Sequence, residues 1–426
     1  ALPAAFYSGF GNCAVFTMDG NGDANVSHTS GRWRNGQYKR DYQTDASGAS
    51  PGVFYGVITE LLGFTVMRHE GKVVGLAAMG EPSKLYPELV KAFHLASDGN
   101  CFASDFPTEA DRHRFLQKTI SGHSREDIAA ATQKVLEDGV ISLIRRYLAK
   151  TGDTRVALNG GVFANVKLNQ RIAELKEIEE IFVFPAMSDT GNSIGAALLD
   201  LLESNPESLR HSKPLEHVYL GPEFSDEEIH SALMDAGIPS EKLDEQDMIV
   251  KAAAAIHEGK ILGWFQGRME FGPRALGNRS MLARATDTKI NDWLNARLDR
   301  SEFMPFAPSV LIEHADDIFP GIEKARHTAE FMTITFDVHP DWRQRVPAVV
   351  HVDGTARPQL VRNDRNPRYH ALIDEYRRLS GIPLILNTSF NVHEEPIVCA
   401  PTEAIRALKE RRIDCLAIGS FYCENS

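Results

Sequence analysis

RVALNGGVFAN, residues 155–165, holds the pattern that decides the fold class. Its first four residues form a short apolar run typical of a buried strand, and an asparagine–glycine–glycine turn leads into a helix predicted from Ala164. A second apolar run, IFVF at residues 181–184, is followed by another helical stretch from Gly195. Strands that alternate with helices predict an α/β domain.

The length of the chain predicts two domains. It has 426 residues, of which 43% are hydrophobic and 24% are charged, as in globular proteins with more than one core. A polar, proline-containing stretch at residues 203–224 predicts the boundary, which gives domains at residues 1–205 and 215–426. The second half mixes strands and helices without strict alternation and is predicted to be α+β.

Several functional classes are disfavoured by the composition. The net charge of −12 argues against a nucleic-acid-binding surface over the whole protein. There is no run of about 18 apolar residues, so no membrane span is expected. The first residues, ALPAAFYSGF, lack the basic region of a signal peptide. Five widely spaced cysteines without a CxxC pair predict a reduced, cytoplasmic protein.

Four further segments have predicted conformations. Residues 51–67 carry helical spacing, whereas HEGKVVGLAAMG at residues 69–80 contains three glycines and is predicted to be an ordered functional loop. Apolar runs at residues 332–336 and 348–352 predict strands of the second half.

A glycine-containing segment with arginines, EFGPRALGNRSML at residues 270–282, predicts a phosphate site. Backbone N–H groups and guanidinium groups presented together are suited to a bound phosphate. The arginines of this region are Arg268, Arg274, Arg279 and Arg284. Solvated surface arginines are the alternative, but the glycines and proline between them favour a fixed, functional loop.

Two more polar clusters lie in the second half. Asn387 and Ser389 directly follow the apolar run PLIL, and a buried strand that ends in polar side chains favours a binding role. His351, Asp353 and Arg357 lie together in HVDGTARPQ. A structural histidine and a catalytic one are equally expected at that position.

Charged residues of the first half allow two interpretations each. Asp19 follows a predicted strand and Asp189 lies in SDTGNS after another, so the two carboxylates can form part of a metal site, although turn capping is the alternative for Asp19. Their spacing does not show that they meet. Glu70 and Lys72 flank a glycine, where either exposed charge or ligand binding is expected.

Seven segments, in order, resemble the motifs of the NodU/CmcH family of O-carbamoyltransferases, to which the tobramycin and cephalosporin carbamoyltransferases belong. The resemblance runs from about Phe6 to Tyr422. The segments are EGKVVGLAAMGEP, LNGGVFANVKLN, PAMSDTGNSIGAAL, GRMEFGPRALGNRSMLA, MPFAPSV, PAVVHVDGTARPQ and LNTSFNVHEEPIV.

The resemblance implies a fold and a two-step reaction. The first domain is expected to have the ASKHA nucleotide-binding fold of the threonylcarbamoyl-adenosine enzymes, and the second to be YrdC-like. Carbamoyl phosphate and ATP, with Mg²⁺, give carbamoyl adenylate in the YrdC-like domain. The carbamoyl group then passes to a hydroxyl of a small-molecule acceptor, such as an antibiotic, at the ASKHA-like site. The resemblance implies that a bound nucleotide and Fe²⁺ assist this transfer.

Residue by residue, the resemblance implies three sets of site residues. The metal ligands are Asp19 and Asp189. The nucleotide-binding residues of the first domain are Glu70, Lys72, Gly160, Gly161 and Asn165. The carbamoyl phosphate and adenylate pocket is lined by Arg274, Arg300, His351, Arg357, Asn387 and Ser389, and all of these except Arg300 are expected to be catalytic.

The sequence also departs from the family pattern. The HxxxH metal pair of the family precedes the aspartate that matches Asp19, and the sequence begins at Ala1 without that pair. Three alternatives follow: the sequence is a fragment, another segment supplies those ligands, or the metal site is not functional. Met304 and Leu298 replace residues that are commonly basic. The alternatives to a small-molecule O-carbamoyltransferase are an enzyme that delivers the carbamoyl group to a macromolecule and a non-catalytic relative.

Overall fold

The computed structural model describes residues 1–45, 49–297, 306–392 and 395–425, which form two compact units. Unit 1 comprises Ala1–Leu215 with Thr333–Thr335, and unit 2 comprises Glu216–Met332 with Phe336–Ser426. Within the described ranges, no helix combines the length and the apolar character needed to cross a bilayer.

Unit 1 contains a main sheet, a short two-stranded ladder and surrounding helices. Its strands are β1 (Asn12–Met18), β2 (His28–Arg34), β3 (Gln37–Thr44), β4 (His94–Leu95), β5 (Phe102–Ala103), β6 (Arg155–Asn159) and β7 (Glu180–Val183). Its helices are α1 (Leu2–Tyr7), α2 (Pro51–Leu61), α3 (Glu70–Ala77), α4 (Tyr86–Leu89), α5 (Glu109–Ile120), α6 (Arg125–Thr151), α7 (Val166–Ala173) and α8 (Asn192–Ser204).

The main sheet of unit 1 has the strand order β3-β2-β1-β6-β7. The first three strands form an antiparallel meander, whereas β6 runs parallel to β1 and β7 runs parallel to β6. Three parallel neighbours end at the same edge of the sheet, so the loops after β1, β6 and β7 emerge together. This edge is the usual place for ligands in α/β sheets.

Helix α6 is the long helix that supports this sheet. It begins after Ser124, whose Oγ accepts the backbone N–H of Asp127 over 3.1 Å, and ends at Gly152 with φ of 72°. Its buried face contacts α2, α3 and α7. As a result, polar residues in the middle of α6 meet the start of α7, which follows the glycine turn after β6.

Unit 2 is built around a larger mixed sheet. The strands of unit 2 are β8 (Glu241–Lys242), β9 (Leu262–Phe265), β10 (Arg279–Ala283), β11 (Ala307–Leu311), β12 (Phe336–Asp337), β13 (Thr355–Ala356), β14 (Gln359–Val361), β15 (Leu384–Ser389), β16 (Cys415–Ile418) and β17 (Phe421–Glu424). Its helices are α9 (Asp226–Ala236), α10 (Glu245–Glu258), α11 (Lys289–Arg297), α12 (Ala315–Ile318), α13 (Arg326–Ala329), α14 (Pro340–Arg343), α15 (Pro367–Ser380) and α16 (Pro401–Lys409).

The sheet of unit 2 has the order β14-β11-β15-β10-β9-β16-β17-β8. The pairs β11/β14 and β9/β16 are parallel, and the other neighbours are antiparallel. Helices α10 and α15 contact each other. Both units therefore combine helices with mixed sheets, which confirms the predicted α/β class at that level.

The structure corrects the prediction for residues 69–80. These residues do not form a loop, because α3 occupies Glu70–Ala77 and packs against α6. A glycine inside a helix costs only about 1 kcal/mol relative to alanine, and burial of residues such as Val73 and Leu76 outweighs that cost. The preceding helix α2 ends at Leu61, earlier than the predicted span of residues 51–67.

The two predicted strands at residues 332–336 and 348–352 are also wrong. The first segment pairs only through β12, which begins at its last residue. The second contains a single 3₁₀ turn, Pro347–Val349. Ala348 and Val349 are buried by side-chain packing instead, which an apolar run alone does not distinguish from a strand.

Candidate functional site

The segment predicted to bind phosphate folds into a loop, residues 270–279. The side chain of its first residue, Glu270, holds this loop in place. Oε1 of Glu270 accepts hydrogen bonds from the backbone N–H groups of Leu276 (2.7 Å), Asn278 (2.8 Å) and Arg279 (3.1 Å). Glu270 is 5% exposed, and its Oε2 is buried without a hydrogen-bond partner in the described residues. These three amides, called the amide cluster below, are therefore occupied by a carboxylate of the protein itself.

Buried side chains bind the carbonyl oxygens of the same loop. The contacts are Asn387 Nδ2 to Ala275 O (3.2 Å), Tyr219 Oη (2.8 Å) and Gln359 Nε2 (2.7 Å) to Leu276 O, and Trp264 Nε1 to Gly277 O (3.0 Å). Gly277 has φ of 97°, and a Cβ atom there would lie 2.2 Å from the Tyr369 ring. Only glycine fits at that position, and the loop is held in one conformation by the fold.

Arg279 has a structural role in this conformation. It is fully buried, and its Nη1 donates to the carbonyl oxygens of Gln266 (2.8 Å) and Asn278 (2.9 Å). Its guanidinium carbon lies 3.6 Å from the centroid of the Phe265 ring. Burial lowers the pKa of Arg279 to about 10. The expectation that this arginine binds phosphate is wrong for the observed arrangement.

Two further arginines of the region also have partners within unit 2. Arg268 donates to the carbonyl oxygens of Gly221 (3.1 Å) and Leu220 (2.9 Å), and Arg284 pairs with Asp287 at 3.1 Å. Arg274 is half-buried at the turn before Ala275. Phosphate binding by Arg274, which the family resemblance implies, stays our prediction.

Asn387 lies at the centre of a buried polar cluster on β15. It is 1% exposed, and its Nδ2 lies 2.9 Å from Ser309 Oγ and 3.1 Å from Gln359 Oε1, in addition to its contact with Ala275. Its Oδ1 is buried and has no hydrogen-bond partner in the described ranges. A buried acceptor left without a donor costs about 1–3 kcal/mol, so an N–H or O–H of a ligand at this atom would recover free energy.

His351 presents a second buried acceptor. It is 8% exposed, and its Nδ1 lies 3.2 Å from Asp353 Oδ1. When Nδ1 carries the proton and donates a hydrogen bond to this carboxylate, Nε2 is left as an acceptor. Nε2 is buried and has no partner among the described residues. The turn is closed by a hydrogen bond of 2.8 Å from Gly354 N to the carbonyl oxygen of His351.

The chain path links the other predicted residues of unit 2 to these two. Arg357 is half-buried and follows β13 directly, just before Gln359 of β14. Asn387 thus contacts one near neighbour of Arg274 in sequence, Ala275, and one of Arg357, Gln359. Ser389 ends β15 two positions after Asn387, on the same face, and its Oγ donates to Asn391 Oδ1 over 2.6 Å. Arg300, like Leu298 and Met304, lies outside the described residues.

In unit 1 the strand ends meet as expected. The Asp19 carboxylate accepts N–H groups from Gly20 and from Gly161, each over 2.9 Å, so the turns after β1 and β6 are tied together. Gly160 has φ of 105°, and a Cβ atom there would lie 2.1 Å from Met18 O. The glycines of this turn are required by the close approach of two strands, whether or not a ligand binds.

Asp189 lies at the same edge but in a different environment. It begins a 3₁₀ turn after β7 and is exposed. The described residues contain no group of three or more His, Cys, Asp or Glu side chains placed to hold a metal ion. Zinc-type sites use three or four protein ligands, and Asp19 and Asp189 supply two carboxylates at most. The described residues alone do not make the implied metal centre.

The remaining predicted residues of unit 1 are on or beside helices. Lys72 lies on α3, is 6% exposed and has its Nζ 6.0 Å from the Phe64 ring centroid. Glu70 begins the same helix and accepts the N–H of Met67 over 2.6 Å. Asn165 caps α7, where its Oδ1 accepts the N–H of Leu168 over 3.0 Å.

A buried network continues from Asn165 into α6. Nδ2 of Asn165 donates to Gln133 Oε1 (2.8 Å), which also accepts from Tyr55 Oη (3.0 Å), and Gln133 Nε2 donates to Glu137 Oε1 (2.8 Å). Burial raises the pKa of Glu137 above its ordinary value. The network ties the start of α7 to α6, so the amide of Asn165 acts within the protein in this conformation.

Sequence reasoning did not single out three residues that organise these sites. Glu270 and Gln359 lie inside quoted motifs but were not assigned roles, and Gln133 lies outside every quoted motif. The signal that could have revealed them is a polar residue at a position that the pattern of its element buries, such as Gln359 beside Leu360 and Val361 in β14.

Comparison with known proteins identifies the family. The signature of the carbamoyltransferase N-terminus matches residues 3–198, and that of the carbamoyltransferase C-terminus matches residues 253–425. The chain belongs to the carbamoyltransferase family. The first matched region falls within unit 1, and the second falls within unit 2 except for Thr333–Thr335, which belong to unit 1.

Curated relatives resemble the chain over nearly its whole length. Nodulation protein NolO of Bradyrhizobium diazoefficiens is 34% identical over 434 residues, which cover 99% of this chain and 77% of that protein. Nodulation protein NolNO of Sinorhizobium fredii is 35% identical over 432 residues, covering 99% of this chain and 62% of that protein. An uncharacterised protein of Methanocaldococcus jannaschii is 36% identical over 427 residues, 96% of this chain and 69% of that protein.

Proposed function

We propose that this carbamoyltransferase moves a carbamoyl group from carbamoyl phosphate, through carbamoyl adenylate, to a hydroxyl of a small-molecule acceptor. One observation carries the proposal for unit 2: His351 Nε2 and Asn387 Oδ1 are buried acceptors without partners in the described residues. Arg357 lies in the same motif as His351, and Asn387 contacts Ala275, the neighbour of Arg274. A carbamoyl NH₂ supplies N–H donors, and the attached phosphate supplies anionic oxygens. Acceptor atoms suit the first half of this donor molecule, and arginines suit the second.

The first step of the proposed reaction is the formation of carbamoyl adenylate. Forming carbamoyl adenylate with release of both phosphate and pyrophosphate consumes one water, which cleaves carbamoyl phosphate into carbamate and phosphate. A carbamate oxygen then attacks the α-phosphorus of ATP, and the bond to the β-phosphate breaks as pyrophosphate leaves. The protein needs to align two anions and to spread their charge, and arginines do this without covalent participation.

In this proposal each side chain of unit 2 has a role that its surroundings permit. Arg274 and Arg357 hold phosphate oxygens. Asn387 Oδ1 and His351 Nε2 accept the carbamoyl N–H groups and orient the carbonyl carbon. Ser389, whose Oγ lies on the same face of β15 as Asn387, is proposed to bind the adenylate. Arg300 belongs to the same proposed set.

The transfer step is proposed for unit 1, as an ASKHA-like domain, with unit 2 as the YrdC-like domain. The acceptor hydroxyl attacks the carbamoyl carbon, AMP leaves, and the hydroxyl proton passes to a base. The residues proposed to bind the nucleotide there are Glu70, Lys72, Gly160, Gly161 and Asn165. Mg²⁺ with ATP and Fe²⁺ belong to the proposal as the metals that the family resemblance implies, and metal analysis of the purified protein tests for both.

The test is carbamoyl phosphate-dependent release of pyrophosphate from ATP by the full chain. We expect release to require both substrates and to fall at least about tenfold in Arg357→Ala, because a charged hydrogen-bond donor to phosphate is lost. Arg378→Ala is the matched control, since Arg378 lies on α15 of the same unit and pairs with Glu375 at its surface. Pyrophosphate release that is independent of carbamoyl phosphate, or unchanged in Arg357→Ala, would overturn the proposal.

The acceptor class is tested separately. Mass spectrometry of reactions with hydroxyl-bearing small molecules should show a carbamoylated product that requires both ATP and carbamoyl phosphate. Pyrophosphate release without any small-molecule product, together with carbamoylation of an added protein or RNA, would favour delivery to a macromolecule instead.

A further inference from the structure

We propose that Glu270 is a positioning residue for Arg274: its carboxylate fills the amide cluster and thereby fixes the loop that presents this arginine to carbamoyl phosphate. The inference rests on the proposed function and deepens it. It assigns recognition of the donor phosphate to side chains, and it removes the loop backbone from that task.

The carboxylate of Glu270 binds the far end of its own loop. One oxygen of its carboxylate accepts three N–H groups at 2.7, 2.8 and 3.1 Å, all from the far end of the loop. Hydrogen bonds to a charged acceptor are roughly twice as strong as neutral ones. The contact closes the loop around Arg274, which lies between Glu270 and the amide cluster in sequence.

The fourth amide of this stretch, that of Gly277, is also occupied. The N–H of Gly277 donates to Ser280 Oγ over 3.1 Å. Consecutive N–H groups from Leu276 to Arg279 therefore all bind atoms of the protein. Such a run of amides would usually be expected to bind an external anion, but here a built-in carboxylate takes that place.

A substitution with glutamine separates the negative charge of Glu270 from its size. A glutamine there keeps the size and one acceptor oxygen but loses the negative charge. It also places an NH₂ group where Oε2 is buried without a partner in the described residues, so two donors would be left without acceptors. The glutamine variant therefore loosens the loop while leaving the packing volume unchanged.

The experiment measures both the loop and the activity of the full chain. Hydrogen exchange of the amides of Leu276, Asn278 and Arg279 is compared between the unsubstituted protein and Glu270→Gln, together with kcat and KM for carbamoyl phosphate and ATP. Glu228→Gln is the matched control, since Glu228 accepts one backbone N–H, that of Ser225, at the start of α9 in the same unit. We expect Glu270→Gln to lose protection of the amide cluster and about tenfold in kcat/KM for carbamoyl phosphate, with KM for ATP unchanged.

A double-mutant cycle separates positioning from general destabilisation. In an Arg274→Lys background, which keeps a cation for residual activity, Glu270→Gln is expected to cause little further loss, because it acts through Arg274. The same fractional loss in both backgrounds, or full activity of Glu270→Gln with the cluster unprotected, overturns the proposal. If Glu270→Gln does not fold, Glu270→Asp, which keeps the charge on a shorter side chain, takes its place in the cycle.

Failure of the proposed function would look different. An unsubstituted protein that releases no pyrophosphate with carbamoyl phosphate, yet shows the amide cluster protected by Glu270, would contradict the reaction and leave the loop anchor standing. Loss of the cycle's coupling in an active enzyme would contradict the positioning role alone.

Discussion

Asn387 Nδ2 donates to Ala275 O over 3.2 Å, so strand β15 is joined directly to the loop that carries Arg274. The same amide group contacts Ser309 and Gln359, so a single side chain connects the loop with β11 and β14. This relationship makes Asn387 both a candidate ligand-binding residue and a structural one, and substitutions there must be interpreted accordingly.

We predict that Asn387→Ala lowers the free energy of unfolding by about 1–3 kcal/mol as well as abolishing adenylate formation. The reason is that Ala275 O and Gln359 Oε1 would lose a buried donor. Arg357→Ala, at a half-buried position, should lose adenylate formation with a smaller change in stability. Urea unfolding of both variants beside pyrophosphate release checks this, and an Asn387→Ala variant as stable as the unsubstituted protein would contradict the central role of its amide.

We predict that Asp189→Ala spares adenylate formation but blocks carbamoyl transfer. Asp189 is exposed at the strand edge of unit 1, whereas the residues proposed for the first step lie in unit 2. Pyrophosphate release and product formation are measured in parallel, with Asp200→Ala, an exposed aspartate of α8, as the control. Loss of both steps in Asp189→Ala would argue against separate sites.

The glycines of unit 1 offer a matched pair of substitutions. Gly160→Ala should be severely destabilising, because the φ of 105° is strained for alanine and the new Cβ would lie 2.1 Å from Met18 O. Gly152→Ala, at a φ of 72° with no atom within 4 Å of its Cβ, should cost only about 1–2 kcal/mol. Thermal unfolding compares the two, and equal losses would contradict the close approach of β1 and β6.

His28 predicts a specific pH dependence of stability. It is fully buried between Thr44 Oγ1 (3.2 Å) and Ser30 Oγ (2.6 Å), and burial lowers its pKa to about 3. Between about pH 6.5 and pH 3 the unfolded chain binds one more proton at this histidine than the folded protein does. Stability should therefore fall as the pH decreases through that window, by up to about 1.4 kcal/mol per pH unit from this group.

The check on His28 is urea unfolding of the unsubstituted protein and of His28→Gln at several pH values from 7.5 to about 4.5. The other titrating groups are common to both proteins, so the difference between the two curves isolates the histidine. A difference that does not change with pH would mean that His28 is protonated in the folded state or exposed to water.

Much of the fold could be predicted from local patterns. The apolar run of β6 with its glycine turn and the apolar run of β15 both appear where the sequence places them, because each depends on neighbours a few residues away. The prediction failed at α3, where glycines suggested a loop. There, packing against α6 decides the conformation, and a partner so distant in sequence leaves no local signal.

The candidate site shows the same division. Arginines and glycines at residues 268–284 were recognisable in the sequence, but the structural role of Arg279 was not. Arg279 and Arg274 have the same chemistry in the sequence. Only the placement of Phe265 and of the carbonyl oxygens of Gln266 and Asn278 makes the first one structural.

The amino-acid sequence by itself determined the class of the fold and the family, since periodic burial and short ordered motifs are local properties of the chain. The tertiary structure alone decided which polar groups satisfy one another. Glu270 could occupy the amide cluster, and Asn387 could keep an acceptor without a partner, only after loops and strands remote in sequence had met. A hydrogen bond needs its donor and acceptor within about 3 Å of each other, and residue type alone does not bring them to that distance.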